Sequence, residues 1–320
     1  MACALRLGKA GVFMKATSYL MAILAGLFLT GRAWGCACGC DVLEVGQVSM
    51  FPSGAGGLLH VDYAYQNQNT NWSGSSKASP DANNDKKIET QFIMLGVQYM
   101  FSTSWGIRAE LPYALRSFST LGGDSGADPV TINWGDIGDL RLEGVYTGFS
   151  KDLSTGVTFG FKLPSGNDSR SGADRDTQLG SGSTDLLLGA YHVQKLDDEN
   201  LWNGFVQIQL DLPFMEQDGY RPGTEVDAVA GVQYNGFSWG KLQIKPMAQV
   251  IGSYKGSDSG ANAADPVASG LERILLSPGL ELDLHPFMVH AAAEFTAYDY
   301  VVGNQLMAPV IYRLGMTLAF

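Results

Sequence analysis

Three cysteines lie close together near the start of the chain, in the run Cys36-Ala37-Cys38-Gly39-Cys40. In an extended backbone, side chains at positions i, i+2 and i+4 point to the same side, so the three thiols would share one face. Thiolates arranged in this way can bind a soft metal such as Cu(I), or zinc. We therefore treat a copper or zinc site at Cys36, Cys38 and Cys40 as one hypothesis and expect no other cofactor. Covalent haem is not indicated, because no Cys-x-x-Cys-His run occurs.

Four simpler interpretations of this cluster remain open. The cysteines could form a strained Cys-x-Cys disulfide, use the odd thiol to bond another protein, or belong to a free tail. Lipidation of Cys36 is the fourth interpretation. A lipidation signal normally has a Leu-like residue three positions before the cysteine, where this chain has Ala33, followed by the bulky Trp34.

The first part of the chain has the composition of an export signal. Residues 1–35 contain basic side chains, then the apolar stretch 16–30, and no acidic residue. The small-x-small run Ala33-Trp34-Gly35 is typical of a cleavage site. We predict that residues 1–35 are a signal peptide and that the exported chain begins at Cys36.

Composition excludes several functional classes. Of 320 residues 40 are Gly, 45% are hydrophobic and only 17% are charged. Acidic residues outnumber basic ones by 32 to 21, so we expect no nucleic-acid partner, which would require a basic face. After residue 35 the apolar runs are too short for membrane-spanning helices. A soluble β-rich protein or a transmembrane β-barrel remains.

Hydrophobic residues then alternate with polar ones along much of the chain. From Trp105 to Leu115 the odd positions are apolar, while Arg108 and Glu110 lie between them. This period of two is typical of a strand with one apolar face. The pattern predicts twelve strands, at residues 57–67, 88–101, 105–118, 135–149, 155–165, 182–196, 201–214, 223–235, 239–255, 271–285, 287–299 and 305–320.

The length of each connection depends on whether the strand before it is even- or odd-numbered. Connections after even-numbered strands are short, and those after odd-numbered strands are mostly long and polar, with 300–304 predicted as the last of them. Outer-membrane barrels have short periplasmic turns and longer outer loops. We predict an all-β protein: a transmembrane antiparallel up-and-down β-barrel of about 12 strands over residues 57–320. It would lie in the outer membrane, surrounded by lipid, with its N-terminus in the periplasm.

Aromatic residues support the same topology. Those bracketing the short turns are predicted to form an interfacial girdle: Phe101, Trp105, Phe149, Trp202, Phe205, Phe237, Trp239 and Phe287. A second group lies toward the other rim: Tyr65, Tyr113, Phe214, Tyr254 and Tyr298. The chain ends in an alternating strand with a terminal Phe320. That ending resembles the final strand that outer-membrane barrels present to the barrel assembly machinery, which is therefore an expected partner.

Three glycine-rich segments in the middle third carry a family resemblance. They are Gly135-Asp136-Ile137-Gly138-Asp139-Leu140, Phe161-Lys162-Leu163-Pro164-Ser165-Gly166 and Leu179-Gly180-Ser181-Gly182-Ser183-Thr184-Asp185. These segments resemble the outer-membrane transporter family of the phenol-degradation (meta-cleavage) pathway. The cysteine cluster is not part of that family's pattern. The resemblance implies passage of small molecules, including aromatic ones.

If the apolar face meets lipid, the opposite face lines the barrel. The phase of the alternation places eight basic and ten acidic residues there: Arg108, Glu110, Arg116, Asp139, Arg141, Glu143, Lys162, Asp185, Asp211, Glu225, Asp227, Lys241, Lys245, Arg273, Glu281, Asp283, Glu294 and Arg313. Twelve strands predict a narrow or partly plugged passage with a mixed lining. The alternative is that these charges pair into a closed network filling the interior.

The function predicted from these features is a passive outer-membrane channel or transporter for small solutes. The alternative function is a scaffold that docks a periplasmic metal or redox partner through Cys36, Cys38 and Cys40. We expect no enzymatic activity, because none of the four histidines (His60, His192, His285 and His290) lies in a nucleophile motif. Residues 36–56 precede the barrel and either fold into it as a plug or lie in the periplasm.

Overall fold

The computed structural model describes residues 51–52, 54–121, 129–216, 218–263 and 268–320. The predicted signal peptide and the cysteine cluster lie outside these residues. The described residues contain these strands: β1 (Gly56–Gln68), β2 (Thr70–Gly74), β3 (Ser76–Lys77), β4 (Asp85–Met100), β5 (Trp105–Leu121), β6 (Pro129–Ile137), β7 (Leu140–Tyr146), β8 (Thr155–Leu163), β9 (Ser183–Lys195), β10 (Trp202–Glu216), β11 (Glu225–Tyr234), β12 (Phe237–Trp239), β13 (Leu242–Lys255), β14 (Leu271–Leu284), β15 (Phe287–Met307) and β16 (Val310–Ala319). Within these ranges, no helix has the length and apolarity needed to cross a membrane.

The strands close into a barrel. The hydrogen-bonded order is β1, β4, β5, β7, β8, β9, β10, β11, β13, β14, β15, β16 and back to β1, with every pair antiparallel. In the described part of the chain this is a closed ladder of twelve strands, as the alternation predicted. The last register pair joins Leu58 to Ala319, and the amide of Gly57 donates to the Phe320 carbonyl at 2.7 Å. The up-and-down barrel predicted from the sequence is confirmed.

Polarity divides the two faces of the wall. On β5, Ile107 is 56% exposed whereas the next residue, Arg108, is 9% exposed. The same alternation gives β16 an exposed Tyr312, Leu314 and Met316. Large apolar side chains therefore cover the outside and charged ones are buried inside. A bilayer solvates this outer face, because water would not stabilise an apolar surface that surrounds the whole protein.

The connections differ at the two ends of the barrel. One end, which we call the short-turn end, carries 101–104, 147–154, 196–201 and the two-residue turn His285-Pro286, together with Phe320. The other, the long-loop end, carries among others residues 164–182. Exposed aromatic residues follow the short-turn end: Phe101, Trp105, Phe149, Trp202, Phe237, Trp239 and Phe287. Phe205 was wrongly predicted to belong to this girdle: it points inward and is 3% exposed, because its ring covers Gly231 on β11.

Side-chain hydrogen bonds order one of the short turns. The Ser154 hydroxyl donates to the Asp152 carboxylate at 2.7 Å, and the Ser154 amide donates at 3.3 Å. These bonds, with a further one from Ser150, lower the pKa of the exposed Asp152 carboxyl. The amide of Thr147 donates to the Ser104 carbonyl at 3.0 Å, so this turn is joined to its neighbour.

The predicted strand at 135–149 is interrupted. This range contains the end of β6 and the whole of β7. Both strands pair with β5, and Gly138 and Asp139 separate them. The Gly138 amide donates to the Pro112 carbonyl at 2.8 Å, while the Asp139 carboxylate accepts from the Gly166 and Ser181 amides at 2.9 and 2.8 Å. The strand is interrupted here, and the Asp139 carboxylate binds amides of a distant loop.

The last connection also differs from the prediction. Residues 300–304 were predicted as a loop, but β15 continues through them to Met307. The extension is stabilised because β2 folds back and pairs with it, with Gln305 opposite Trp72. The turn before β16 is therefore only Ala308-Pro309, and β16 begins at Val310 rather than at 305.

The lipid-facing assignment can be tested at Leu95 on β4. This side chain is 49% exposed and lies four residues from the aromatic Tyr99. We expect Leu95→Lys to lower the free energy of unfolding in lipid vesicles by about 2–4 kcal/mol, because an ammonium would enter hydrocarbon. Urea titration followed by tryptophan fluorescence measures the change. The matched control is Thr103→Lys in an exposed turn, which we expect to be neutral. Equal stability of both variants would contradict the assignment.

Candidate functional site

The eighteen residues predicted for the inner face have the following positions in the structure. Fourteen are buried: Arg108, Glu110, Arg116, Asp139, Arg141, Glu143, Lys162, Asp185, Asp211, Asp227, Arg273, Glu281, Glu294 and Arg313. Glu225, Lys245 and Asp283 are partly buried. Lys241 is exposed in the turn between β12 and β13, and Asp139 lies in the break between β6 and β7.

Many of these charges form ion pairs between neighbouring strands. Arg108 on β5 donates through Nε to Glu143 on β7 at 2.9 Å and through a second nitrogen to the same carboxylate. Lys162 on β8 lies 2.5 Å from Asp185 and 2.7 Å from Asp211. Further pairs follow around the wall: Lys245 with Glu281 and Asp283, Arg273 with Asp299, and Arg313 with Glu294. Four of the pairs lie directly across the ladder because neighbouring inward positions are in register: Arg108 with Glu143, Lys162 with Asp185, Lys245 with Glu281 and Arg273 with Asp299. The others are diagonal or reach the next strand but one.

A cavity remains beside this network. It contains about 1330 Å³ of empty space, including the part that is open to solvent. Its charged lining includes Glu110, Arg141, Lys162, Asp211 and Arg313. Its apolar lining includes Ala64, Phe92, Met94, Pro112 and Leu179. Residues of the ion-pair network, such as Lys162, Asp211 and Arg313, therefore line the cavity together with apolar residues.

A loop from the long-loop end folds inward over the cavity. Arg116 on β5 donates through Nη1 to the carbonyls of Thr177 and Gln178, at 2.6 and 3.2 Å. Both loop residues are buried, and the Gln178 amide group donates to the Arg170 and Ala173 carbonyls. A cation on the wall thus holds the loop by its backbone oxygens, which satisfies groups that a buried loop would otherwise leave unpaired.

Two further loops join the first one. The Arg175 guanidinium lies 4.1 Å from the centre of the Tyr220 ring and donates to Asp168 at 3.0 Å. The Tyr220 hydroxyl donates to the Asp258 carboxylate at 2.8 Å, and the Gly223 amide donates to the other oxygen at 2.8 Å. Tyr220 and Asp258 are each 5% exposed. We call this group, Arg175, Tyr220 and Asp258 with their partners, the loop cluster.

Aromatic contacts occupy the interior near the short-turn end. Phe51, which precedes β1, stacks on Tyr191 of β9 with ring centres 4.5 Å apart and planes 8° apart. It also meets Phe205 edge to face at 6.5 Å. Phe51 and Pro52 line a smaller space with Gln98 and Gln207. The described end of the N-terminal segment therefore lies inside the barrel.

Two histidines missed by the sequence analysis line the cavity. His60 Nε2 lies 3.7 Å from Asp62 and 3.8 Å from Glu110, and His290 Nε2 lies 3.3 Å from Asp62. Both imidazoles are buried. The alternation along the strands could have identified both histidines as inward-facing, because His60 is inward on β1 and His290 is four residues before the inward Glu294. They were considered only as catalytic candidates.

The structure contains no metal-ligand cluster within its described residues. No group of three or more His, Cys, Asp or Glu side chains there has the arrangement needed to hold a metal ion. Cys36, Cys38 and Cys40 lie outside those residues, so the copper or zinc hypothesis and the scaffold hypothesis both stay predictions.

Comparison with solved structures identifies similar folds. The chain is similar to the COG4313 outer membrane channel from Pseudomonas putida F1, with 15% identity, a TM-score of 0.65, and coverage of 87% of this chain and 100% of that one. The β domain of the Bordetella autotransporter BrkA gives 10% identity, 83% and 100% coverage and a TM-score of 0.49. The CymD monoaromatic hydrocarbon channel has 11% identity and a TM-score of 0.43, with coverage of 91% of this chain and 95% of that one. No family model and no curated protein sequence matches the chain.

The loop cluster leads to a prediction about backbone protection. We expect Tyr220→Ala to increase amide hydrogen exchange in residues 218–224 and 256–263, because it removes both the ring under Arg175 and the bond to Asp258. Tyr220→Phe keeps the ring and should give an intermediate increase. Exchange measured by mass spectrometry on the folded protein in detergent checks this. Unchanged protection in Tyr220→Ala would refute the coupling between these loops.

Proposed function

We propose that the protein is a passive outer-membrane channel for small organic molecules, including aromatic ones. The observation that carries this proposal is the cavity inside a closed barrel, whose lining combines apolar and charged residues. Such a lining suits solutes that combine an apolar body with a polar group. The similar fold of a protein described as an outer membrane channel supports the same conclusion.

The alternative of a filled interior explains only part of the barrel. The ion pairs lie on β5, on β7 to β10 and on β13 to β16. The inward residues of β4 next to the cavity are Phe92, Met94 and Gly96, which carry no charge. A network that only satisfied a solid core would have no reason to leave a cavity beside Phe92 and Met94.

The proposed orientation follows the distribution of the connections. The short-turn end faces the periplasm, and the long-loop end, with the loop cluster, faces outward. In this orientation Phe51 lies at the periplasmic mouth. We propose that the N-terminal segment, of the two arrangements open for it, enters the lumen and that Phe51 narrows the passage.

Single-channel recording in planar bilayers tests the channel and the role of Phe51 together. We expect small, resolvable current steps for the unchanged protein and larger steps for Phe51→Ala, because removing the ring widens the mouth. Phe149→Ala is the matched control: it removes an aromatic ring near the same end that is 61% exposed, and should leave the current unchanged.

Two outcomes would count against these proposals. Absence of current in every electrolyte, for protein that inserts as a folded barrel, would favour the filled interior. Equal currents for the unchanged protein and Phe51→Ala would preserve the channel but remove Phe51 from its mouth.

A further inference from the structure

The inner faces of β1, β4 and β5 form a continuous wall of the cavity. The strand register arranges their inward residues in rows that cross the three strands. From the short-turn end these rows are His60, Gly96 and Glu110; Asp62, Met94 and Pro112; Ala64, Phe92 and Ala114; and Gln66, Thr90 and Arg116. Successive rows are roughly 7 Å apart. Phe92, Met94 and Pro112 form an apolar patch in this wall, about the size of a small aromatic ring. The patch borders the row that contains the imidazole of His60 and the carboxylate of Glu110.

Glu110 is the carboxylate of that row. It is 3% exposed, and its Oε2 has no hydrogen-bond partner among the described residues. Its Oε1 lies 3.4 Å from Nε of Arg108, but that guanidinium makes its two short bonds to Glu143. One cation is thus shared by two carboxylates, and a buried oxygen of a residue that lines the cavity has no donor among the described residues. Burying such a group is costly unless a ligand or water supplies the missing bond.

His60 lies beside this carboxylate because its neighbour on β4 is a glycine. A Cβ at Gly96 would fall 2.0 Å from Cε1 and 2.1 Å from Nε2 of the imidazole, so only glycine lets the ring occupy this position. Nε2 has no hydrogen-bond partner within the described chain, although it lies 3.8 Å from Glu110. Neutral imidazole can accept a hydrogen bond at this atom.

His290 repeats the arrangement on the other side of β1. A Cβ at Gly315 would fall 2.0 Å from both Asp62 Oδ1 and His290 Cε1. Asp62 thus lies between the two imidazoles, 3.7 Å from Nε2 of His60 and 3.3 Å from Nε2 of His290. The carboxylates of Asp62 and Glu110, with the two imidazoles beside them, form an acceptor-rich edge next to the apolar patch.

The charge next to the apolar patch is negative. In the described residues, acidic and basic side chains are equally numerous over the whole lining of the cavity. The two rows that contain His60 and Asp62, however, carry two carboxylates, Asp62 and Glu110, and no arginine or lysine. On β16 the nearest cation, Arg313, is paired with Glu294 at 2.5 Å. This side of the cavity therefore favours a positive ligand over a negative one.

From these observations we infer that the cavity binds a small organic amine in its cationic form. The ammonium group would donate to Glu110 and to the imidazoles of His60 and His290, and the apolar body would lie on Phe92, Met94 and Pro112. The inference rests on the proposed function and names a solute class for the same cavity. A plain hydrocarbon would leave the acceptor edge unpaired, and an aromatic carboxylate would add a charge of the wrong sign.

Isothermal titration of the folded barrel in non-ionic detergent near neutral pH tests this inference independently of transport. The probes are benzylamine, benzyl alcohol and benzoate, which have similar bodies and carry a positive, a neutral and a negative group. Titration into detergent alone corrects for partition into micelles. We expect benzylamine to bind about tenfold or more tightly than the other two, the scale of one charge-assisted hydrogen bond.

Substitution of the carboxylate gives a second measurement. We expect Glu110→Gln, which keeps the shape and removes the charge, to weaken benzylamine binding about tenfold and to leave benzyl alcohol nearly unaffected. Glu225→Gln is the matched control, because Glu225 lines the same cavity from β11, away from the acceptor edge, and should change benzylamine binding little. The comparison of the three probes on the unchanged protein holds even if a variant fails to fold.

The outcomes separate this inference from the proposed function. Benzoate binding as tightly as benzylamine, or Glu110→Gln binding benzylamine normally, would overturn the amine site while leaving the channel intact. Selective benzylamine binding without any bilayer current would support the site and overturn the channel. Selective binding together with current that benzylamine reduces supports both.

Discussion

The closure of the hydrogen-bonded ladder is the constraint on which the rest of the structure depends. Hydrocarbon offers no partner to a backbone amide or carbonyl, and each unpaired group would cost several kcal/mol. The first and last strands therefore pair, and Gly57 and Phe320 exchange hydrogen bonds of 2.7 and 2.8 Å in both directions. Once the ladder closes, every second side chain must face lipid and the others must face the interior. The polar residues of the strands then have only the interior in which to lie.

The content of the interior follows from the sizes of the inward residues. Where neighbouring strands carry long charged side chains, as at Lys162, Asp185 and Asp211, the ion pairs fill the space between them. The cavity extends from this network to small inward residues such as Ala64 and Ala114. The imidazoles of His60 and His290 border it because Gly96 and Gly315 leave room for their rings.

Local sequence pattern was sufficient for the barrel and insufficient for what folds into it. Alternation and loop parity predicted twelve strands because both depend on residues near each other in sequence. The break at Gly138 and Asp139 was missed because its hydrogen bonds come from Gly166 and Ser181, in a loop whose inward path no periodicity records. The alternation correctly predicted that Arg108 and Glu110 share the inner face. It could not predict their ion-pair partners, because these depend on which strands become neighbours and in what register.

The two ends of the barrel interior are held by contacts of different kinds. At the long-loop end, several loops are joined by buried polar bonds around Tyr220 and Asp258, and breaking one would leave others unsatisfied. At the short-turn end, the described closure is the stack of Phe51 on Tyr191, and an aromatic pair of this kind contributes only about 0.5–1.5 kcal/mol beyond its buried area. Moving the Phe51 ring away from Tyr191 would leave no buried hydrogen-bonding group without a partner, because the Phe51 side chain has no polar atom. In the proposed channel, the mouth at Phe51 is therefore the end that opens at the lower free-energy cost.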